Sequence, residues 1–271
     1  MRPLSARNPR ISRLSKLVKR RSERATQRVL VVEGPTLIAT ALEHEAKVRE
    51  IYVDEAHQNN PGVEAVLAKL GADVDQWLLE PGVLDRVGDV ATSQGVLAVV
   101  EYEPATLEIA AAIADRESDS RFVLMTDGLQ IPGNVGTLIR AAAGAGASAV
   151  VVANGADPTS PKVVRASAGA WFGLDVIGST DPVGVLEDLK SRGFRVATAV
   201  AHGGCAYDSA DLSGPLVLVV GSEAHGPSRE VQDLSDLLVT IPLAGPVESL
   251  NVAMAGTLLC FEVLRQARAR S

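Results

Sequence analysis

Several short runs in this chain are apolar at nearly every position instead of at alternate ones. They are residues 29–32 (VLVV), 96–100 (VLAVV), 122–126 (FVLMT), 149–153 (AVVVA) and 216–220 (LVLVV). A strand with one wet face alternates; a strand buried on both faces does not, and such strands belong to parallel sheets covered by helices. Residues 48–53, 195–200 and 239–241 add three further strand candidates. Between the runs, a capping residue or glycine precedes proline at Asn8-Pro9, Gly34-Pro35, Asn60-Pro61, Ser160-Pro161, Asp181-Pro182 and Gly226-Pro227. Proline at the first helical position gives up no intrahelical hydrogen bond, so each pair predicts a helix start. Gly71 and Gly193 then stop helices over 61–70 and 182–192. Strand–helix alternation predicts an α/β fold.

At 271 residues the chain has room for two domains. An acidic stretch ending in a charged Ser/Asp run, residues 101–120, predicts a linker between domains at 1–100 and 121–271. Net charge is −7, but of 26 Lys and Arg and 33 acids, ten and one fall within the first 30 residues. A basic cluster of that density suits a phosphate backbone, whatever the bulk charge. The spacing of Ile11, Leu14, Leu17 and Val18 predicts an amphipathic helix, which would carry Arg10, Arg13, Lys16 and Arg20 as candidate nucleic-acid-binding residues. A solvated basic tail is the alternative. Cys205 and Cys260 lack metal-ligand spacing and read as reduced thiols, and no metal is expected. No apolar run approaches the ~18 residues of a membrane span, and no apolar core follows the basic N-terminus as in a signal peptide. A cytoplasmic location is therefore expected.

Three stretches following apolar runs carry unusual polar residues. The first, 126–136 (TDGLQIPGNVG), leads to Arg140 on a predicted helix. It is not a phosphate-binding P-loop, because the required Lys and Ser/Thr are missing, and Gly144 and Gly146 are wrongly placed for a dinucleotide fingerprint. The second, 220–227 (VGSEAHGP), offers Glu223 as a substrate partner or as a helix-start acid, and His225 as an acid–base group or a turn residue. The third, 241–256 (IPLAGPVESLNVAMAG), runs through a Pro/Gly loop into a long apolar helix, with Ser249 read as its N-cap. Unpaired N–H groups at such a helix start favour a ligand, and loops at the carboxyl ends of parallel strands converge in space.

The order N-x-G-x-x-x-R (Asn134, Gly136, Arg140), G-x-E-x-x-G (Gly221, Glu223, Gly226) and IP-x-x-G-x-x-x-S-L-N (Ile241, Pro242, Gly245, Ser249, Leu250, Asn251) resembles the SpoU/TrmH family of the SPOUT class. These are S-adenosylmethionine-dependent RNA 2′-O-ribose methyltransferases. Residues 121–271 resemble the catalytic domain. Residues 1–100, including VVEGPTLIATAL and SQGVLAVV, resemble a small L30e-like RNA-binding domain. General topology rules favour an unknotted doubly wound sheet; the resemblance instead implies a mostly parallel sheet with a deep trefoil knot. It implies that Gly221, Ile241 and Leu250 contact S-adenosylmethionine, largely through the backbone. It makes Asn134, Arg140, Glu223, Ser249 and Asn251 the catalytic and RNA-facing set. It also implies a homodimer in which Arg140 serves the cofactor of the other subunit. The face Leu250, Met254, Leu258 and Phe261 suits either that interface or an intrachain core. Arg165, with Ser167, is either an RNA-backbone contact or part of an ordinary surface helix. The added N-terminal domain points to rRNA; tRNA and a non-catalytic RNA-binding role are the alternatives.

Overall fold

The computed structural model describes residues 1–88, 93–106 and 122–270. The elements begin with β1 (Arg2–Leu4), α1 (Pro9–Lys19), α2 (Arg21–Gln27), β2 (Val29–Glu33), α3 (Pro35–Glu43) and β3 (Val48–Asp54). They continue with α4 (Pro61–Ala68), β4 (Asp75–Leu79), α5 (Val83–Val87), β5 (Val96–Glu101), β6 (Phe122–Asp127) and α6 (Pro132–Gly144). There follow β7 (Ala149–Ala153), α7 (Pro161–Ala166), β8 (Asp175–Ser179), α8 (Pro182–Ser191), β9 (Arg195–Ala199) and β10 (Cys205–Ala206). The last are β11 (Leu216–Gly221), α9 (Arg229–Asp233), β12 (Leu237–Thr240) and α10 (Val252–Arg270). Two compact units result: Met1–Pro104 with Thr159–Phe172, and Ala105–Pro158 with Gly173–Ser271. Most of the linker expected at 101–120 lies outside the described residues; Glu101 is the last residue of β5 and Tyr102 packs within the first unit.

In the first unit the strand order is β1-β4-β3-β5-β2. The sheet is mixed: β5 runs antiparallel to β2 and β3, while β4 is parallel to β3 and β1. The unbroken run in β2 has a direct cause. Val29 and Val31 pack with Leu14, Leu17 and Val18 on one face, and Leu30 and Val32 pack with Ile38, Val63 and Val164 on the other. Burying such a side chain contributes roughly 1.5–3 kcal/mol, so both faces of the strand favour apolar residues. The α1 helix starts as expected: Pro9 is its first residue and the Asn8 side chain accepts from the Arg10 N–H at 3.0 Å. Val164, in α7, belongs to this unit although it follows the second unit's first strands in the chain.

In the second unit all seven strands pair in parallel, in the order β10-β12-β9-β11-β6-β7-β8. Strands β6, β7 and β8 step outward one way, and β11 and β9 lie the other way. The order therefore reverses between β6 and β11, where open α/β sheets form their ligand crevice. Asp127 and Gly221, the last residues of those two strands, are register partners. Helix α10 lies on α6 and β11. A Cβ on Gly256 would stand 2.4 Å from Leu138 Cδ2 and 3.4 Å from Val220 Cγ1, so its bare backbone permits this close packing.

Three sequence expectations shift. The helix after Gly226-Pro227 starts at Arg229, because Ser222 and Gly226 exchange backbone hydrogen bonds and Pro227 belongs to the turn they close. The strand expected at 239–241 spans Leu237–Thr240. Strands β1, β4, β8 and β10 had no apolar run to mark them; β4 and β8 are only partly buried.

Candidate active site

The three polar loops meet in the second unit through side-chain hydrogen bonds. After β6 the chain turns at Gly128, whose φ of +73° favours glycine, and enters α6 at Pro132. The backbone N–H groups of Gln130 and Ile131 donate to Glu223 Oε2 and Oε1 at 3.4 and 3.3 Å. Asn134 Nδ2 donates to the same Oε1 at 3.0 Å. On the far side of Asn134, its Oδ1 accepts from Asn251 Nδ2 at 3.3 Å. Asn251 Oδ1 in turn accepts from the N–H groups of Ala253 and Met254, at 2.9 and 3.3 Å. Asn251, not Ser249, is thus the N-cap of α10; Ser249 is exposed and lies two residues too early to reach those donors.

Desolvation pushes the Glu223 carboxyl upward, but the Asn134 amide and the backbone N–H groups of Gln130 and Ile131 outweigh it and hold the group below the ordinary glutamate range. The carboxylate also lies at the N-terminus of α6, where the helix dipole favours negative charge. The Glu223 carboxylate thus holds the Asn134 amide and the entry to α6 together. The second loop is pinned a second time, by Ser228 N–H to the buried Asp127 Oδ2 at 2.7 Å. Sequence reading missed Asp127 and Gln130; the Gln130 amide donates to the carbonyls of Gly128 and Asn154. Neither position belongs to a motif that would have singled it out. A Cβ on Gly221 would stand 1.8 Å from Pro227 N, so glycine is required for the loop to close over the strand end. His225 is an exposed turn residue whose N–H donates to Ser222 Oγ.

Arg140 and Ser249 stand apart from this hydrogen-bonded group. Arg140 is exposed on α6 and, among the described residues, forms no ion pair. Beside that helix face, α10 exposes Met254 (61%), Leu258 and Phe261 (47%). Ile241 and Leu250 are half-buried and bracket residues 242–249, which are exposed and form neither helix nor strand. Two apolar edges with free main chain between them fit a nucleoside cofactor, which needs apolar contact for a base and backbone groups for its polar edge.

In the first unit the RNA-binding candidates divide. Arg13 donates to Glu50 Oε1 at 2.6 Å and to Gln27, and Arg10 stacks over Trp77 at 4.4 Å and pairs with Glu50. Lys16 and Arg20 are exposed. Arg165 pairs with the buried Glu33 at 3.8 Å.

An all-parallel sheet with three converging, cross-linked loops at its reversal point defines a ligand-binding α/β unit of the kind the three motifs imply. Residues 121–261 match the SpoU rRNA Methylase family, and residues 8–98 match the MRM3-like substrate binding domain. The chain belongs to the SpoU rRNA methylase family. It is 30% identical to the 23S rRNA (guanosine(2553)-2′-O)-methyltransferase of Bacillus subtilis, over 96% of this chain and 97% of that one. It is 31% identical to the 23S rRNA (uridine(2479)-2′-O)-methyltransferase of Streptomyces viridochromogenes, over 98% and 92%. The crystal structure of the SpoU methyltransferase AviRb from Streptomyces viridochromogenes in complex with AdoMet matches with a TM-score of 0.83 at 29% identity, covering 97% of this chain and 100% of that one.

Proposed function

We propose that this chain transfers a methyl group from S-adenosylmethionine to a ribose 2′-hydroxyl of RNA, with 23S rRNA as substrate. The observation that carries the reading is the chain Glu223–Asn134–Asn251, which ties all three motif loops together at the sheet's reversal point. Gly221, Ile241 and Leu250 hold the cofactor, mainly through main-chain groups. The bound cofactor supplies a methyl already activated on its sulfonium. The protein therefore has to align the attacking oxygen and move its proton.

Asn134 is held from both sides, and each amide nitrogen of the Asn134–Asn251 pair retains a second N–H for the substrate. Ser249 adds a hydroxyl on the open loop. A guanidinium stays protonated and cannot act as the base. Arg140 instead clamps the phosphate next to the target ribose, and a phosphate oxygen takes the 2′-hydroxyl proton as the O–CH₃ bond forms and the S–CH₃ bond breaks. The proton then passes to solvent. A second copy of the chain covers Met254, Leu258 and Phe261, making a homodimer in which Arg140 serves the partner's cofactor. The path from β12 through 241–250 to α10, back over β11, closes a trefoil knot. The protein works in the cytoplasm on RNA.

The test is to incubate the protein with S-adenosylmethionine and 23S rRNA transcribed without modifications, then map 2′-O-methylation by resistance to alkaline cleavage. One protected nucleotide is expected. Normal cofactor binding with no protected position on any rRNA would overturn the reading.

A further inference from the structure

The basic residues of the first 30 positions do different jobs. Helix α1 has three sides. Ile11, Leu14, Leu17 and Val18 form the buried side. Arg10 and Arg13 lie on a second side, occupied by Glu50, Gln27 and Trp77. Along the third side runs an open cleft of about 390 Å³, lined by Arg7, Ser12, Ser15, Lys16, Lys19 and Arg20.

Its four basic residues are all exposed, and among the described residues none forms an ion pair. Among the described residues, no carboxylate lines the cleft. Lys16 and Arg20 are one helical turn apart, about 6 Å along the axis, with Lys19 between them. Ser12 and Ser15 add hydroxyl donors one turn earlier. Four unpaired cations in an open trough recognise a strand with several phosphates, not a small enclosed anion.

We propose that this cleft is the phosphate-backbone site for RNA, that Arg7, Lys16, Lys19 and Arg20 hold the strand, and that Arg10 and Arg13 serve the fold instead. The assignment rests on the RNA reading above and says which of the bases contact the substrate.

The test compares full-length wild type, Lys16→Ala/Lys19→Ala/Arg20→Ala and Arg10→Ala/Arg13→Ala. Each is titrated against a fluorescein-labelled oligouridine strand over a range of salt concentrations. Each lost phosphate contact on a single strand lowers the slope of log K against log salt by about 0.7. The triple variant should therefore lose about 2 from the slope and bind about 100-fold more weakly near 0.1 M salt. The double variant should keep the wild-type slope while melting at a lower temperature, because Glu50 loses both of its arginine partners and keeps only the Tyr52 hydroxyl. A triple variant with the wild-type slope, a double variant that loses as much, or a wild type that does not bind the strand would overturn the cleft. Calorimetry with S-adenosylmethionine runs alongside: a wild type that binds the strand with the expected slope changes but not the cofactor sinks the methyltransferase reading and leaves the cleft standing.

Discussion

Asn251 does two jobs with one side chain. Its oxygen caps α10 and its nitrogen donates to Asn134. Asn251→Ala loses both, with about 1 kcal/mol of stability from the cap alone. Asn251→Asp separates them: aspartate caps as well and suits the helix dipole, but its carboxylate cannot donate to Asn134 Oδ1. We expect the Asp variant to melt within a degree or two of wild type, by about the scale of a neutral surface change, yet to lose most of its turnover. Equal melting losses in both variants would assign Asn251 to the fold alone. Arg140, exposed and outside the hydrogen-bonded group, should behave more simply: Arg140→Ala should cut turnover by about 100-fold while the cofactor Kd, read by calorimetry, barely moves. Glu223 predicts a pH effect. Its folded pKa lies below the ordinary 4.5, so its stabilising share is fully present above that value and disappears as pH falls through the lower folded one. The melting difference between wild type and Glu223→Gln should shrink over that acidic window, and a constant difference would refute it. The group is largely exposed, so the difference is small throughout.

Elements were legible where burial was two-sided or capping was local. The non-alternating runs at 29–32, 149–153 and 216–220 became strands buried on both faces, because helices or packed loops cover each side. Asn8-Pro9, Ser160-Pro161 and Asp181-Pro182 became helix starts because the cap and the first proline act within four residues. What depended on distant partners was not legible. Strand β4 is half-covered, so DQWLL shows no clean period, and the turn at Gly226-Pro227 is set by its closure onto Ser222. The site divides in the same way. Its residues were named by motif order, but the Asn134–Asn251 contact joins positions 117 apart in sequence, and only the fold brings those together. Gly221 gives the element-scale prediction. Its missing Cβ is replaced by Pro227 backbone, which cannot rotate away as a side-chain tip can. Gly221→Ala should cost about 3 kcal/mol, towards the upper end for overpacking, in urea melts, and should weaken cofactor binding because the loop is forced open.

At the scale of the whole molecule, the sequence left open whether the apolar face of α10 is core or interface. The fold answers the first half: Leu259, Cys260 and Val263 point inward, while Met254, Leu258 and Phe261 remain exposed on a helix that is otherwise well packed. Three large apolar groups on one helix face call for a partner, and the proposed dimer supplies one by two-fold symmetry. A complementation experiment tests whether Arg140 then works across that interface. Arg140→Ala and Asn251→Asp are each expected to be nearly inactive as pure proteins. In a mixed dimer, one site combines the intact Asn251 of the first subunit with the intact Arg140 of the second; the other site carries both defects. Random mixing makes half the dimers mixed, and each of those has one working site of two. Unfolding and refolding the two variants together should therefore restore about a quarter of wild-type turnover. If Arg140 serves its own subunit's cofactor, every site in the mixture carries one defect and activity stays at the level of the parents. Phe261→Asp should abolish the restoration by leaving the chains monomeric in sedimentation. A monomer with full activity would place the whole site within one chain.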